Sequence, residues 1–268
     1  MTYGLRKLSL IKIGSGTPLI FIVGLLAFAV YNQLIELSKI INISDSTSID
    51  QLFISSLPLI NPKRLKNKEK LAFSIPSDLK DILVGLILGD LHGRYRYGNT
   101  RFVFKQGLKN KDYVYHLYEL FSKFCPSAPK IKESLPDPRT GKIYNSVTFS
   151  TYTLPCFNEL YNLFYLSGKK VIPNNIRELL TPRSLAYWIA DDGSWNKVQK
   201  YVSLSTESFK LEEVELLIEV LNTKFNLRCY KCKSGTAYKI IIPSYSIEVL
   251  QTLLSPHMPL MMSHKIGL

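Results

Sequence analysis

Two apolar stretches, each running into an aspartate, recur in this chain: residues 79–90 (LKDILVGLILGD) and 183–193 (RSLAYWIADDG), with Asp90 and Asp192 in matching places. The elements downstream of each stretch also repeat. Residues 101–106 (RFVFKQ) read as a strand and 112–124 as an amphipathic helix; residues 201–207 (YVSLSTE) and 211–225 read as their counterparts. Both helices end in Lys-Phe, at Lys123-Phe124 and Lys224-Phe225, and from the apolar stretches to these dipeptides the separation of corresponding positions stays near 101 or 102 residues. Strand-like segments at 147–151 and 239–242 come next, then helices at 155–166 and 246–254. A shared offset of this kind marks an internal duplication. The order in each half is helix, strands, helix, strands, helix, so the expected fold is α+β with antiparallel sheets, in two pseudo-symmetric half-domains.

The two apolar stretches carry helix punctuation. Pro76, Ser77 and Asp78 supply start chemistry for the first; Thr181 and Pro182 supply an N-cap and a first-turn proline for the second, with Gly193 as its C-cap. Gly85 and Gly89 lie four apart in the first, Ala186 and Ala190 four apart in the second. Small residues at that spacing share a face and let two helix backbones approach. Side by side, the helices would bring Asp90 and Asp192 together at their partially negative C-terminal ends, which is unfavourable without a cation. Oxygen-only ligation points to magnesium, or manganese in its place. Either aspartate alone reads as a solvent-facing helix end; the pair, at equivalent places in a duplicated chain, reads as a site.

Charge points the same way. The 268 residues carry a formal net charge of +13, and 46% are hydrophobic, so the chain can bury a core; the basic excess points to an anionic partner, either nucleic acid or an acidic membrane surface, with a merely basic soluble protein as the bland alternative. Arg101, Val103 and Lys105 alternate with Phe102 and Phe104, giving one basic and one core face, while Arg94, Tyr95, Arg96 and Tyr97 read as a basic-aromatic loop. Arg94, Arg96, Arg101 and Lys105 are therefore the candidate contacts to an anionic partner, which become DNA contacts under the resemblance given below. The 211–225 helix carries Glu212, Glu213, Glu215 and Glu219 and belongs on the side away from phosphate. Cys229 and Cys232 have C-x-x-C spacing but no second pair, so Cys125, Cys156, Cys229 and Cys232 read as reduced thiols.

Residues 1–70 read as an extension and linker. Residues 18–31 (PLIFIVGLLAFAVY) form an apolar run shorter than a bilayer span, preceded by Arg6, Lys7 and Lys12; a membrane attachment, a cleavable signal or a fused appendage all fit it. Residues 44–48 and the basic 63–70 stretch look like linker, leaving half-domains at 71–171 and 172–268.

The segment 83–91 (LVGLILGDL) resembles the LAGLIDADG signature, and 185–193 (LAYWIADDG) resembles its second copy. With Lys109-Asn110-Lys111, residues 169–175, residues 184–188 and Met261-Met262, the chain from about Leu71 onward is similar to single-chain LAGLIDADG homing endonucleases, especially the yeast mitochondrial omega-intron type. The resemblance implies a monomer whose two sheets form a saddle on double-stranded DNA, cutting both strands across the minor groove to leave short 3′ overhangs. It also implies an intron-encoded, mitochondrial or other organellar protein. Asp90 and Asp192 inherit metal binding. Gln106 and Glu207 inherit the polar position after each half's first strand, and Lys170 and Lys265 the basic position at the centre, with His264 a rival for the second. By strand parity Gln106 lies on the Phe102 side, so its role requires the strand to end or bend there. Asp191 reads as an adjacent carboxylate without a catalytic part. Leu91 replaces the usual closing glycine, which bears on where the first helix ends. The alternative within the same resemblance is an RNA maturase assisting its host intron's splicing.

Overall fold

Thr181 caps its helix through a reciprocal pair of bonds: the Ser184 N–H donates to Thr181 Oγ1 (3.2 Å) and the Thr181 N–H to Ser184 Oγ (2.6 Å), with Pro182 in the first turn. This helix belongs to the second of two like series in the computed structural model, which describes residues 64–268. The first series runs α1 (Asn67–Leu71), α2 (Ser77–Leu88), β1 (His92–Arg96), β2 (Asn99–Gly107), α3 (Lys111–Phe121), β3 (Lys130–Glu133), β4 (Asn145–Ser150), α4 (Asn158–Phe164) and the small hairpin β5 (Tyr165–Leu166) and β6 (Lys169–Lys170). After α5 (Ile176–Leu179) the order returns: α6 (Pro182–Asp192), β7 (Gly193–Asn196), β8 (Tyr201–Leu204), α7 (Leu211–Phe225), β9 (Tyr230–Ser234), β10 (Ala237–Ile242), α8 (Ile247–Leu254) and a 3₁₀ segment, Leu260–Ile266. The sheets are antiparallel with matching strand orders, β1-β2-β4-β3 and β7-β8-β10-β9. The architecture is α+β in two pseudo-symmetric halves.

One continuous core runs through both halves, from Phe102, Phe104 and Phe149 through α2 and α6 to Val202, Leu204 and Ile240. α2 and α6 pack backbone to backbone. A Cβ on Gly85 would lie 2.0 Å from the Ser184 carbonyl oxygen, and one on Gly89 would lie 2.5 Å from Asp191 Cβ. Overpacking of a fixed contact costs about 1–3 kcal/mol or more, so these two glycines set the helix separation.

Several sequence expectations shift. The first apolar helix stops at Leu88 rather than reaching Asp90, because the Leu91 N–H turns back to Leu86 O (3.0 Å) and buries Leu91. Gly193 does cap α6, but with an ordinary φ of −71°; it is needed for room, since a Cβ there would meet Ile189 O at 2.4 Å. The stretch containing Arg94–Arg96 is strand β1 rather than loop, turned onto β2 at Tyr97 (φ 53°) and Gly98 (φ 78°), a left-handed pair suited to a two-residue hairpin. The strand expected at 201–207 ends at Leu204. Upstream of the boundary expected at Leu71, Leu65 already packs on the core. The apolar run at 18–31 and the stretch at 44–48 lie outside the described residues. Among the described residues, no helix is long and apolar enough to cross a membrane.

Candidate active site at the paired helix ends

The packing of α2 on α6 decides where the acidic side chains fall. Asp90 stands two residues beyond α2 and is exposed; Asp192 is the last residue of α6 and is half-buried. Gln106 Nε2 donates to Asp90 Oδ2 at 2.7 Å, and Asn110 Nδ2 donates to Gln106 Oε1 at 3.2 Å. No bend is needed for this. β2 stays paired through Gly107, and the inner face that buries Phe102 and Phe104 simply ends beside Asp90.

The two lysines arrive on unrelated elements and perform like tasks. Lys170, on β6, donates to Gly89 O at 2.6 Å; Lys265, on the 3₁₀ segment, donates to Gly193 O at 2.7 Å and to Asp191 O at 3.5 Å. Each therefore satisfies a main-chain carbonyl adjoining an aspartate, where a cation also complements the helix dipole. His264 is exposed, with Nδ1 3.1 Å from Met261 O, so Lys265 is the basic residue turned inward.

Glu207 takes a different course. Counted along the β8 ladder, the partner of Gln106's position is Thr206, which is buried and donates to Tyr238 O at 2.7 Å. Glu207 lies one residue on, facing outward, where Lys239 Nζ (3.2 Å) and Ser234 Oγ (3.3 Å) hold it. Burial acts to raise its carboxyl, but its own main-chain N–H together with Lys239 and Ser234 keeps it below the ordinary range.

Asp191 is the residue that sequence reasoning misses. Its position corresponds to Gly89, and its Oδ2 accepts the Asp90 N–H at 3.1 Å across the helix pair. The equivalence of an aspartate with a closely packed glycine is the available signal. Burial first, and the Asp90 carboxylate second, push the Asp191 carboxyl well above its usual range. The fully buried Tyr113 hydroxyl faces it, and burial together with the Asp191 carboxylate raises the phenol well above its usual range.

Burial and Asp90 raise Asp192 to about 7, against the pull of Lys170 and Lys265. Burial likewise lowers both lysines, opposed by Asp192 and Asp191. The centre therefore holds acidic groups whose ionisation is resisted until further positive charge arrives. Its donors are oxygens only. Among the described residues no group of three or more His, Cys, Asp or Glu forms a ready-made cage. Two carboxylates nonetheless suit magnesium or manganese, because a small hard cation keeps water and further oxygen ligands in its shell.

Arg94, Arg96, Arg101 and Lys105 all fall on the outer face of the first sheet, with Phe102 and Phe104 on the inner. Acidic α7 lies against the inner face of the second sheet, where Lys231 pairs with Glu215.

The likeness to known proteins extends over this geometry. The model of the LAGLIDADG DNA endonuclease family matches residues 80–250. Probable intron-encoded endonuclease 1 of Wickerhamomyces canadensis is 33% identical over 215 residues, 77% of this chain and 91% of the relative. Cytochrome b mRNA maturase bI2 of Debaryomyces hansenii is 32% identical over 212 residues, 76% and 79% of the two chains. Among solved structures, the homing endonuclease I-WcaI bound to its DNA recognition sequence aligns with a TM-score of 0.71 at 30% identity, covering 80% of this chain and 96% of that one.

Proposed function

The chain belongs to the LAGLIDADG DNA endonuclease family, and on that footing we propose that it is an intron-encoded, organellar homing endonuclease. It acts as a monomer that hydrolyses both strands of a long double-stranded DNA site. The observation that carries this reading is the repeated set at the paired helix ends: an aspartate and a lysine from each half, with each lysine on a carbonyl beside its aspartate. Asp90 and Asp192 would hold Mg²⁺ or Mn²⁺. Such a cation, when bound, supplies Lewis-acid polarisation of the phosphate and a more acidic water. Gln106 fixes the rotamer of Asp90. Lys170 and Lys265 supply positive charge where the scissile phosphates gain negative charge. Glu207 stands close enough to Asp192 to raise its carboxyl and, from the outer face, borders the approaching phosphates.

The decisive experiment selects cleaved sites from a randomised or host-genome DNA library with magnesium present. Recovery of one long site by the wild-type protein, and none by Asp90→Asn, supports the nuclease. Failure to enrich any site overturns it.

A second reading has a specific observation behind it, because a relative at 32% identity is named an mRNA maturase. The basic sheet would then hold intron RNA. Splicing of the host intron transcript by purified protein, unaffected in Asp90→Asn, is the outcome that supports this role beside or in place of cleavage.

A further inference from the structure

Strand pairing decides which side chains share the outer face of each sheet. In the first sheet Arg94 stands directly opposite Arg101, and Arg96 opposite Asn99. Lys105, Thr148 and Lys130 form the next row, and Gly107, Ser146 and Lys132 the one beyond. This face thus carries Arg94, Arg96, Arg101, Lys105, Lys130 and Lys132 and no carboxylate, and none of the six makes an ion pair among the described residues. Like charges directly across a strand pair are destabilising, so the sheet is suited to a polyanion laid over it.

The second sheet has the same strand order and a different outer face. Its rows pair Ser194 with Ser203, Asn196 with Tyr201, and Ile241 with Tyr230. Its one cation among the described strand residues, Lys239, is tied to Glu207. The other strand lysines, Lys231 and Lys233, fall on the opposite parity, and Lys231 pairs with Glu215.

We infer that the two sheets divide the work on the duplex: the first anchors phosphates, the second reads bases through uncharged hydroxyl, amide and phenol groups, and after scission the product under the first sheet stays bound while the other leaves. This rests on the DNA-cleavage reading above. The physical reason is counterion release, to which each neutralised phosphate contributes about 0.9 in the logarithmic salt slope and an uncharged base contact contributes none.

Two arms test it. The first measures binding of a labelled mixed-sequence duplex, long enough to cross both sheets, over a salt series. Arg94→Gln/Arg101→Gln/Lys105→Gln is expected to shrink the slope by about 2.7, and Lys231→Gln/Lys233→Gln/Lys239→Gln by less than about 1. Equal losses overturn the division of charge. The second arm uses the cleavage site recovered by selection, with a different dye on each end. Wild type is expected to hold one product and release the other; the first triple variant releases both, and the second behaves as wild type. Equal retention or equal release of the two products by wild type overturns the asymmetry. If no cleavage site is recovered, the nuclease reading fails, while the salt-slope arm still decides how the sheets share the charge.

Discussion

Asp90 in the first half hangs beyond its helix and is held from outside, by Gln106 on its carboxylate and by Asp191, from the other half, on its N–H. Asp192 in the second half is the terminal residue of α6, and the residue on its strand ladder that matches Gln106 is Thr206, turned away to Tyr238. One aspartate is positioned by side chains that can be removed singly, the other by the helix itself. Duplication therefore preserved the carboxylates and lysines while the means of holding them diverged, and the first half's site includes a group owned by the second.

The largest effect tests what the halves share. Asp90→Asn and Asp192→Asn are each expected to abolish double-strand cleavage while leaving DNA affinity within a fewfold of wild type, since phosphate contacts elsewhere dominate binding. Single-turnover nicking of each strand, alongside a binding isotherm, is the measurement; wild-type double-strand cleavage by either variant breaks the symmetry of function.

Next come the lysines. Lys170→Ala and Lys265→Ala should each slow cleavage by about 10²- to 10³-fold, the usual loss on removing a group that stabilises developing charge. His264→Ala should cleave at the wild-type rate. A slow His264→Ala with a fast Lys265→Ala would give the second half a different base from the one its geometry presents.

Gln106→Ala sharpens the contrast. Loss of a hydrogen bond to a carboxylate, worth about 1.5–3 kcal/mol, predicts a slowing of roughly 10- to 100-fold, whereas Glu207→Gln disturbs an exposed ion pair and should cost no more than about fivefold. Equal losses would mean that Glu207 leaves Lys239 and serves Asp192 in the DNA complex.

The smallest effect is one of stability. The Asp192 carboxyl stands at about 7 in the folded protein, against an ordinary value of about 3.9. The folded state binds more protons than the unfolded between those values, so stability falls as pH rises through that window. Asp191, also raised, acts with the same sign. The Tm of metal-free protein should decline from acid to neutral pH, less steeply in Asp192→Asn, and magnesium should restore part of it at neutral pH. A Tm that climbs over this range would show that Asp192 ionises freely.

How legible each element is in the sequence depends on how local its signal is. α6 can be read to the residue because Thr181, Pro182 and the apolar run are all contained in it. Strand β1 (HGRYR) cannot, since it offers no apolar alternation, and β3 and β9 are edge strands exposed along almost their whole length. The six-cation face is half visible: β2 advertises it, but Lys130 and Lys132 join only through pairing with β4. At the site, Asp90 and Asp192 emerge from the repeat, whereas Lys170 and Lys265 come only through the family resemblance. Glu207 is expected to mirror Gln106, yet the β7–β8 hairpin is shorter than β1–β2, and the slipped ladder sets Thr206 there instead. Asp191 needs the helix packing itself, because its role depends on facing Gly89.

That last pairing also limits how the halves can associate. Gly89 and Asp191 hold the same place in their halves and meet across the pseudo-axis, with no room for a side chain on both. Two copies of the second half, associating by the same contact, would force one Asp191 onto the other in a buried space, while two copies of the first would meet glycine to glycine. The contact is therefore one-sided: the second half, as it stands, fits the first and not a second copy of itself.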